Sequence, residues 1–246
     1  MRSLVRKLEQ VARNPVLRRY LLRRALGTVS APPVMPTGSR PPYLDIPASF
    51  SGPSAPWLSQ TPAAGRPTGP LCLDLPGEQV TLNQPDRAFD RVFADIETEA
   101  ALHRFAWLPL SPGTAAAWIA GLWGEWRARH GDGGDGPAWE AYTAAERVCN
   151  LLDHVRRHGA PWPLDDFVAV MAGHVPRILA GLEYHGEAAT HNHLANNGRG
   201  LYRLGVELTI PEAAQTGLAI LVAEAERLWL PSGLLREGSS HYQFLY

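Results

Sequence analysis

The densest set of chemically useful side chains lies between residues 184 and 197, where Tyr184 is followed by His185, Glu187, His191, Asn192, His193, Asn196 and Asn197. Three histidines and a glutamate so close together raise the question of a metal. His185–Glu187 and His191–His193 are i, i+2 pairs, however, which do not share a helix face, and no HExxH spacing is present. No metal and no other cofactor is therefore expected. Asparagine is a poor helix former, so three of them at a helix start read as capping, solvated or cleft-lining groups, with cleft lining the sharper expectation. A second polar stretch, Glu237-Gly238-Ser239-Ser240-His241-Tyr242-Gln243, follows a Pro231-Ser232-Gly233 turn. A tyrosine there could exchange a proton only if a neighbouring cation or donor lowered its ordinary pKa of about 10; the plainer reading is a packed surface tyrosine. A third stretch, Trp139 to Arg147, reads most simply as Trp139 and Tyr142 packing while Glu146 and Arg147 face solvent or pair with neighbours.

These groups need a scaffold, and from about residue 86 the pattern is helical almost throughout. One long helix is expected over 87–106, closed by Pro109. A second opens after Ser111-Pro112, because proline suits a first helical turn, and buries Trp118, Leu122 and Trp126. A third runs from Pro137 to His158 with Val148, Leu151, Leu152 and Val155 on one face. A fourth spans 163–184 and tolerates or kinks at Pro176, and a fifth covers 191–207. The sixth starts at Pro211 and is expected to bury Leu218, Leu221, Val222, Ala225, Leu228 and Trp229. Helices of this length joined by Pro/Gly turns stack as antiparallel hairpins. The fold class expected is all-α, either a bundle or an arc of an (α/α) toroid. Upstream, residues 71–82 alternate apolar and polar around Pro76-Gly77, as in a small hairpin.

The rest of the chain bounds the function. Of 246 residues, 45% are apolar and 19% charged, with a net charge of −1, so neither nucleic acid nor any other polyanion is selected by the overall field. Residues 1–27 form a basic arm, with Arg2, Arg6, Lys7, Arg13, Arg18, Arg19, Arg23 and Arg24 against Glu9 alone. Its short amphipathic stretches, broken at Pro15, suit either weak contact with an anionic membrane surface or ordinary helix packing. Residues 28–85 are rich in Pro, Gly and Ser, a linker or an extended wrapping arm. Cys72 and Cys149 are too few for a disulfide scaffold, and one or two buried thiols are expected. No secretory signal is visible, which on sequence alone favours the cytoplasm.

Taken in order, WEAYTAAERVCN, EYHGEAATHNHLANNGRGLYRLGVEL and LLREGSSHYQFLY, with HRFAWL upstream, resemble the N-terminal toroid domain of heparinase II/III-type and alginate-type polysaccharide lyases over residues 86–246. The resemblance implies cleavage of uronic-acid-containing polysaccharide by β-elimination, in a periplasmic setting. Asn192 and His193 would donate to the charge developing on the uronate carboxylate, and Tyr242 would be the acid or base. His191, Asn196, Glu237 and His241 would bind substrate. Gln243 stands where a histidine often follows that tyrosine. Members of the family continue into an antiparallel β-sandwich that completes the cleft, whereas this chain stops four residues past Tyr242. It is therefore expected to be incomplete, an incomplete toroid with little activity of its own. The alternative of another class is a non-catalytic helical-repeat module that binds glycan or protein.

Overall fold

The computed structural model describes residues 22–28, 35–62, 65–111, 113–186 and 190–235. The chain divides into two compact units, 1–35 and 36–246. In the first, the described part is a single helical turn at 22–25, and the rest of the expected basic arm lies outside the described residues. The second unit carries all the other described elements.

Its described residues hold one hairpin and seven α-helices, so the protein is mainly helical, as expected. Strands β1 (Leu71–Leu75) and β2 (Glu78–Leu82) pair antiparallel with Leu75 opposite Glu78. The two-residue turn between them uses the left-handed φ of 81° at Gly77, a conformation that costs glycine nothing. The Thr98 hydroxyl donates to the Pro76 carbonyl at 2.5 Å and ties the hairpin to helix α1 (Ile96–His103).

The single helix expected over 87–106 is not formed. Arg87 takes a φ of 62° ahead of a short 3-10 turn at Ala88–Asp90, and Arg91 is extended. Asp95 then caps α1 by accepting from the Glu97 amide at 3.0 Å, so the cap chemistry restarts the helix there. Phe105, at φ 53°, ends it. Helix α2 (Ala116–His130) also starts later than its proline suggests, because Thr114 folds back through its amide and hydroxyl onto the Ser111 carbonyl. Its buried residues Trp118, Leu122 and Trp126 are those expected, joined by Trp123, which stacks on Trp126 with ring centroids 5.5 Å apart.

Helix α3 (Ala141–His158) follows a 3-10 turn at Pro137–Trp139 and buries Val148, Leu151, Leu152 and Val155 as read from their spacing. The fourth expected helix is two: α4 (Leu164–Ala172) and α5 (His174–Ala180). The break falls at Gly173 rather than at Pro176, since placing Pro176 in the first turn of a new helix removes the need for its missing N–H. Helices α6 (His193–Glu207) and α7 (Pro211–Leu228) close the described part.

Residue pairs give the directions of packing. Asn196 lies by Tyr142, Arg199 by Glu146 and Arg203 by Asp153, so α6 runs parallel to α3. Gly198 lies against Ile220 and Gly205 against Ala214, so α7 runs antiparallel to α6. The face that α7 buries differs from the expected one. Leu218 is 49% exposed, Val222 57%, and Ala225 is exposed, whereas Ala213, Thr216, Gly217, Ile220 and Glu224 turn inward and Leu228 is buried as expected. Small residues face α6 because the two backbones touch: a Cβ on Gly217 would stand 2.6 Å from the Gly198 carbonyl oxygen. The polar inward groups are satisfied, Thr216 by the Glu212 carbonyl and Glu224 by Tyr43 and Arg227.

Residues 36–62 wrap across the helices. Gly38 donates to the Leu182 carbonyl, Ser54 to Leu208, and the Trp57 indole to Glu207 at 2.7 Å. Gln60 bridges to Ala160 beside Gly159. Both thiols are free, Cys149 buried and Cys72 exposed on the hairpin.

Candidate functional site

The start of α6 meets the start of α3 and the end of α1. Asn192, 8% exposed, occupies the cap position of α6 but adopts helical dihedrals, so its carbonyl accepts from the Asn196 amide and its side chain makes no cap bond. His193 follows at the surface, half exposed, with Nδ1 2.8 Å from Glu183 Oε1. That bond to Glu183 is the main reason its pKa is raised above the ordinary value, against burial and the nearby Arg104. Asn197, fully buried, holds Glu183 from both sides: its amide donates to Oε2 and its carbonyl accepts from the Glu183 backbone, each at 3.1 Å. The carboxylate that orients His193 is thus itself fixed, the arrangement that makes a donor directional.

Tyr142 lies against the His193 ring with centroids 4.5 Å apart, and the Arg104 guanidinium sits 4.8 Å over the Tyr142 ring. Arg104 also pairs with Glu97 at 2.9 Å and donates to the Thr143 hydroxyl. Its position follows from the left-handed Phe105 beside it, whose ring is fully buried in the aromatic core. Glu140 completes the group; burial and then the Glu183 charge raise its pKa, with Arg104 opposing. Glu140 and Glu183 line a cleft of about 390 Å³ with Thr37, Gly136, Trp139 and Gly181, within the range of small-ligand sites. Asp135 lines it too, and four carboxylates, Asp135, Glu140, Glu183 and the nearby Glu97, stand against Arg104 and His193, so any anion would be held by aimed donors rather than by a basic field.

The loop leading to Asn192 is pinned at both ends. Thr190 closes it on Gly186 and His185. Arg227, near the end of α7, donates to the Thr190 carbonyl at 2.6 Å and to the His191 carbonyl at 3.1 Å, while paired with the buried Glu224. Tyr43 reaches the same Glu224, and burial followed by that carboxylate pushes its hydroxyl pKa far up.

Of the expected site residues, His193 is brought to this surface with His191 exposed beside it, and Asn192 is buried directly behind them. Asn196 is 2% exposed and uses its amide on the Tyr142 carbonyl at 3.2 Å, which places it behind the site as a tie between α6 and α3. Tyr242, Glu237 and His241 lie outside the described residues. Among the described residues no cluster of three or more His, Cys, Asp or Glu side chains could hold a metal, and no helix is long and apolar enough to cross a membrane.

Of the two alternatives for Arg147, facing solvent fails and pairing with neighbours holds, from inside the core. It is fully buried, donating to the His174 ring at 3.0 Å and to the His103 and Ala138 carbonyls, with Trp126 and Trp139 against its guanidinium. Two of those acceptors precede Arg104 and Glu140, so Arg147 fixes both segments from inside. Glu183, Arg104 and Glu140 lie within stretches the sequence made conspicuous but were given no site role there. Glu183 carried a usable signal, since it directly precedes the polar run; Arg104 and Glu140 did not.

No protein-family model, curated protein or solved structure matches the chain.

Proposed function

We propose that the chain is the helical domain of a polysaccharide lyase resembling the heparinase II/III and alginate-lyase group, acting on a uronic-acid-containing polymer by β-elimination. The observation that carries this reading is the return of the chain to the Asn192–His193 end. Leu235, the last described residue, packs with Leu228 on Ala195 at the start of α6. In this reading His193 and Arg104 meet the uronate carboxylate, Asn192 donates to the charge that develops on it, and Tyr242 moves the proton at C5. Glu183 favours the protonated form of His193 and aims its ring. The parallel pairing of α3 with α6, with α4–α5 and α7 running back, supports the finer architecture of an (α/α) toroid arc, in which alternate helices form an inner wall.

The test is binding and turnover of a panel of uronate polymers beside a neutral polymer of matched length. Uronate polymers are expected to bind preferentially, and His193→Ala and Asn192→Ala to weaken that binding. Where unsaturated uronate is produced, followed by its ultraviolet absorbance, Tyr242→Phe is expected to lower the rate by about 10²–10⁴. Equal binding of neutral and acidic polymers, indifferent to both substitutions, would point instead to a module that recognises another partner.

A further inference from the structure

At the far end of α3 from this site, His154 and His158 stand four residues apart with ring centroids 4.9 Å apart. The rise of an α-helix puts His154 about 18 Å from Tyr142, so the two places are separate. We infer that the His154–His158 pair is a binding site for a divalent transition-metal ion of the imidazole-preferring kind, Cu²⁺, Ni²⁺ or Zn²⁺, with solvent or an exogenous ligand completing the coordination.

Three observations carry the inference. The i, i+4 spacing is the one at which two imidazoles on a helix share a face and can chelate one ion, and the observed ring approach realises it. Among the described residues neither ring makes a hydrogen bond, so their nitrogens are not committed to the protein. Finally, both rings border two adjoining concavities that share Ile119: one with Asn150, Asp153 and Ser111, the other, of about 320 Å³, with Thr61 and Thr114. There is room there for the further ligands that two histidines leave open.

The surrounding charge permits a cation. The pair lies in the last turn of α3, just before Gly159, where unpaired carbonyls and the helix dipole present negative potential. Asp153 adds a carboxylate, shared with Arg203 at 2.7 Å. Arg157 opposes the cation, but it is exposed and its long side chain can remain in water. Neutral imidazole ligands without a committed hard oxygen donor set select against Mg²⁺ and Ca²⁺. The sequence expectation of no metal rested on the 185–193 stretch, and this pair lies outside it.

The full 246-residue chain, stripped of metal and titrated at pH 7 with Co²⁺, Ni²⁺, Cu²⁺ or Zn²⁺ by calorimetry, tests the site. One ion per chain is expected, with affinity rising from Co²⁺ through Ni²⁺ to Cu²⁺ and no uptake of Mg²⁺. His158→Gln, at an exposed position that folding does not depend on, is expected to weaken binding by about tenfold or more, as is His154→Gln. The double substitution His185→Gln with His193→Gln is expected to leave it unchanged. No stoichiometric binding, or binding lost with His185 and His193 but kept without His158, overturns the inference.

Discussion

Replacing glycine by alanine inside a helix ordinarily stabilises it by about 0.5–1 kcal/mol, because glycine loses more backbone freedom on folding. Two helical glycines of this protein should respond with opposite signs. Gly124, on the exposed side of α2, has nothing within 4 Å of the position a Cβ would take, so Gly124→Ala is expected to gain the full propensity term. Gly217 faces α6, where the same methyl group would stand 2.6 Å from the Gly198 carbonyl oxygen, 2.8 Å from Tyr202 Cα and closer still to the Tyr202 amide nitrogen. Ordinary contact needs about 3.5 Å or more, so α6 and α7 must part by roughly 1 Å along their seam. These obstacles are backbone atoms, and no side chain can rotate to relieve them. Overpacking of this kind costs about 1–3 kcal/mol or more, which outweighs the propensity gain. Gly217→Ala is therefore expected to lose about 1–2 kcal/mol net, read as a lower urea midpoint with an unchanged slope. Gly124→Ala should raise the midpoint. If Gly217→Ala matches or exceeds the parent in stability, the close approach of α6 and α7 is wrong, and with it the placement of His191 against Arg227.

Two further outcomes follow from the buried and paired histidines. Glu183→Gln removes the carboxylate charge and so weakens the hydrogen bond that chiefly raises the His193 pKa, leaving burial and Arg104 to lower it; an NMR titration should show the ring titrating at lower pH than in the parent, and an unmoved titration would rule out the pair. His103 is held down to about 3 by burial, with His130 and Arg147 adding to it, and burial pushes His174 down as well. A depressed folded pKa gives stability that is present above the unfolded value near 6.5 and is lost as pH falls toward the folded one. His103 alone should cost about 2 kcal/mol between pH 6.5 and 5, so a urea midpoint that stays flat from pH 7 to pH 5 would refute the buried neutral ring.

The helices were legible where one physical rule acted alone. Val148, Leu151, Leu152 and Val155 are buried in α3 as their spacing required, and Pro76-Gly77 turns the hairpin as its residue types demanded. Reading failed where a local device competed with periodicity. Asp95 supplies a cap in the middle of an apparently continuous helix. Pro176 moves the break in the fourth helix to a glycine upstream. In α7 the apolar stripe of Leu218 and Val222 gave the stronger hydrophobic signal and is the exposed one, because close backbone contact with α6 selects for Gly217 rather than for bulk.

The candidate site divides along the same line. Asn192, His193 and their neighbours were conspicuous because polar residues that weaken a helix accumulate at one end of it. What makes His193 useful is not local, and so was not legible. Its partner Glu183 lies ten residues earlier, across a loop that closes only because Thr190 bonds back to Gly186 and His185. That loop is held from outside by Arg227, which comes into place only after α7 has run the length of α6 in return. Arg227 is in turn oriented by a carboxylate, Glu224, that also binds Tyr43 of the wrapping segment. The orientation of one imidazole therefore depends on three stretches far apart in the chain. A substitution that loosens the α6–α7 seam should accordingly disturb the His193 titration even though Gly217 lies nowhere near the ring. The same variant thus serves as a readout of stability and of site geometry. If Gly217→Ala lowers the urea midpoint but leaves the His193 titration identical to the parent's, the loop is held by Thr190 alone and Arg227 has no part in positioning it.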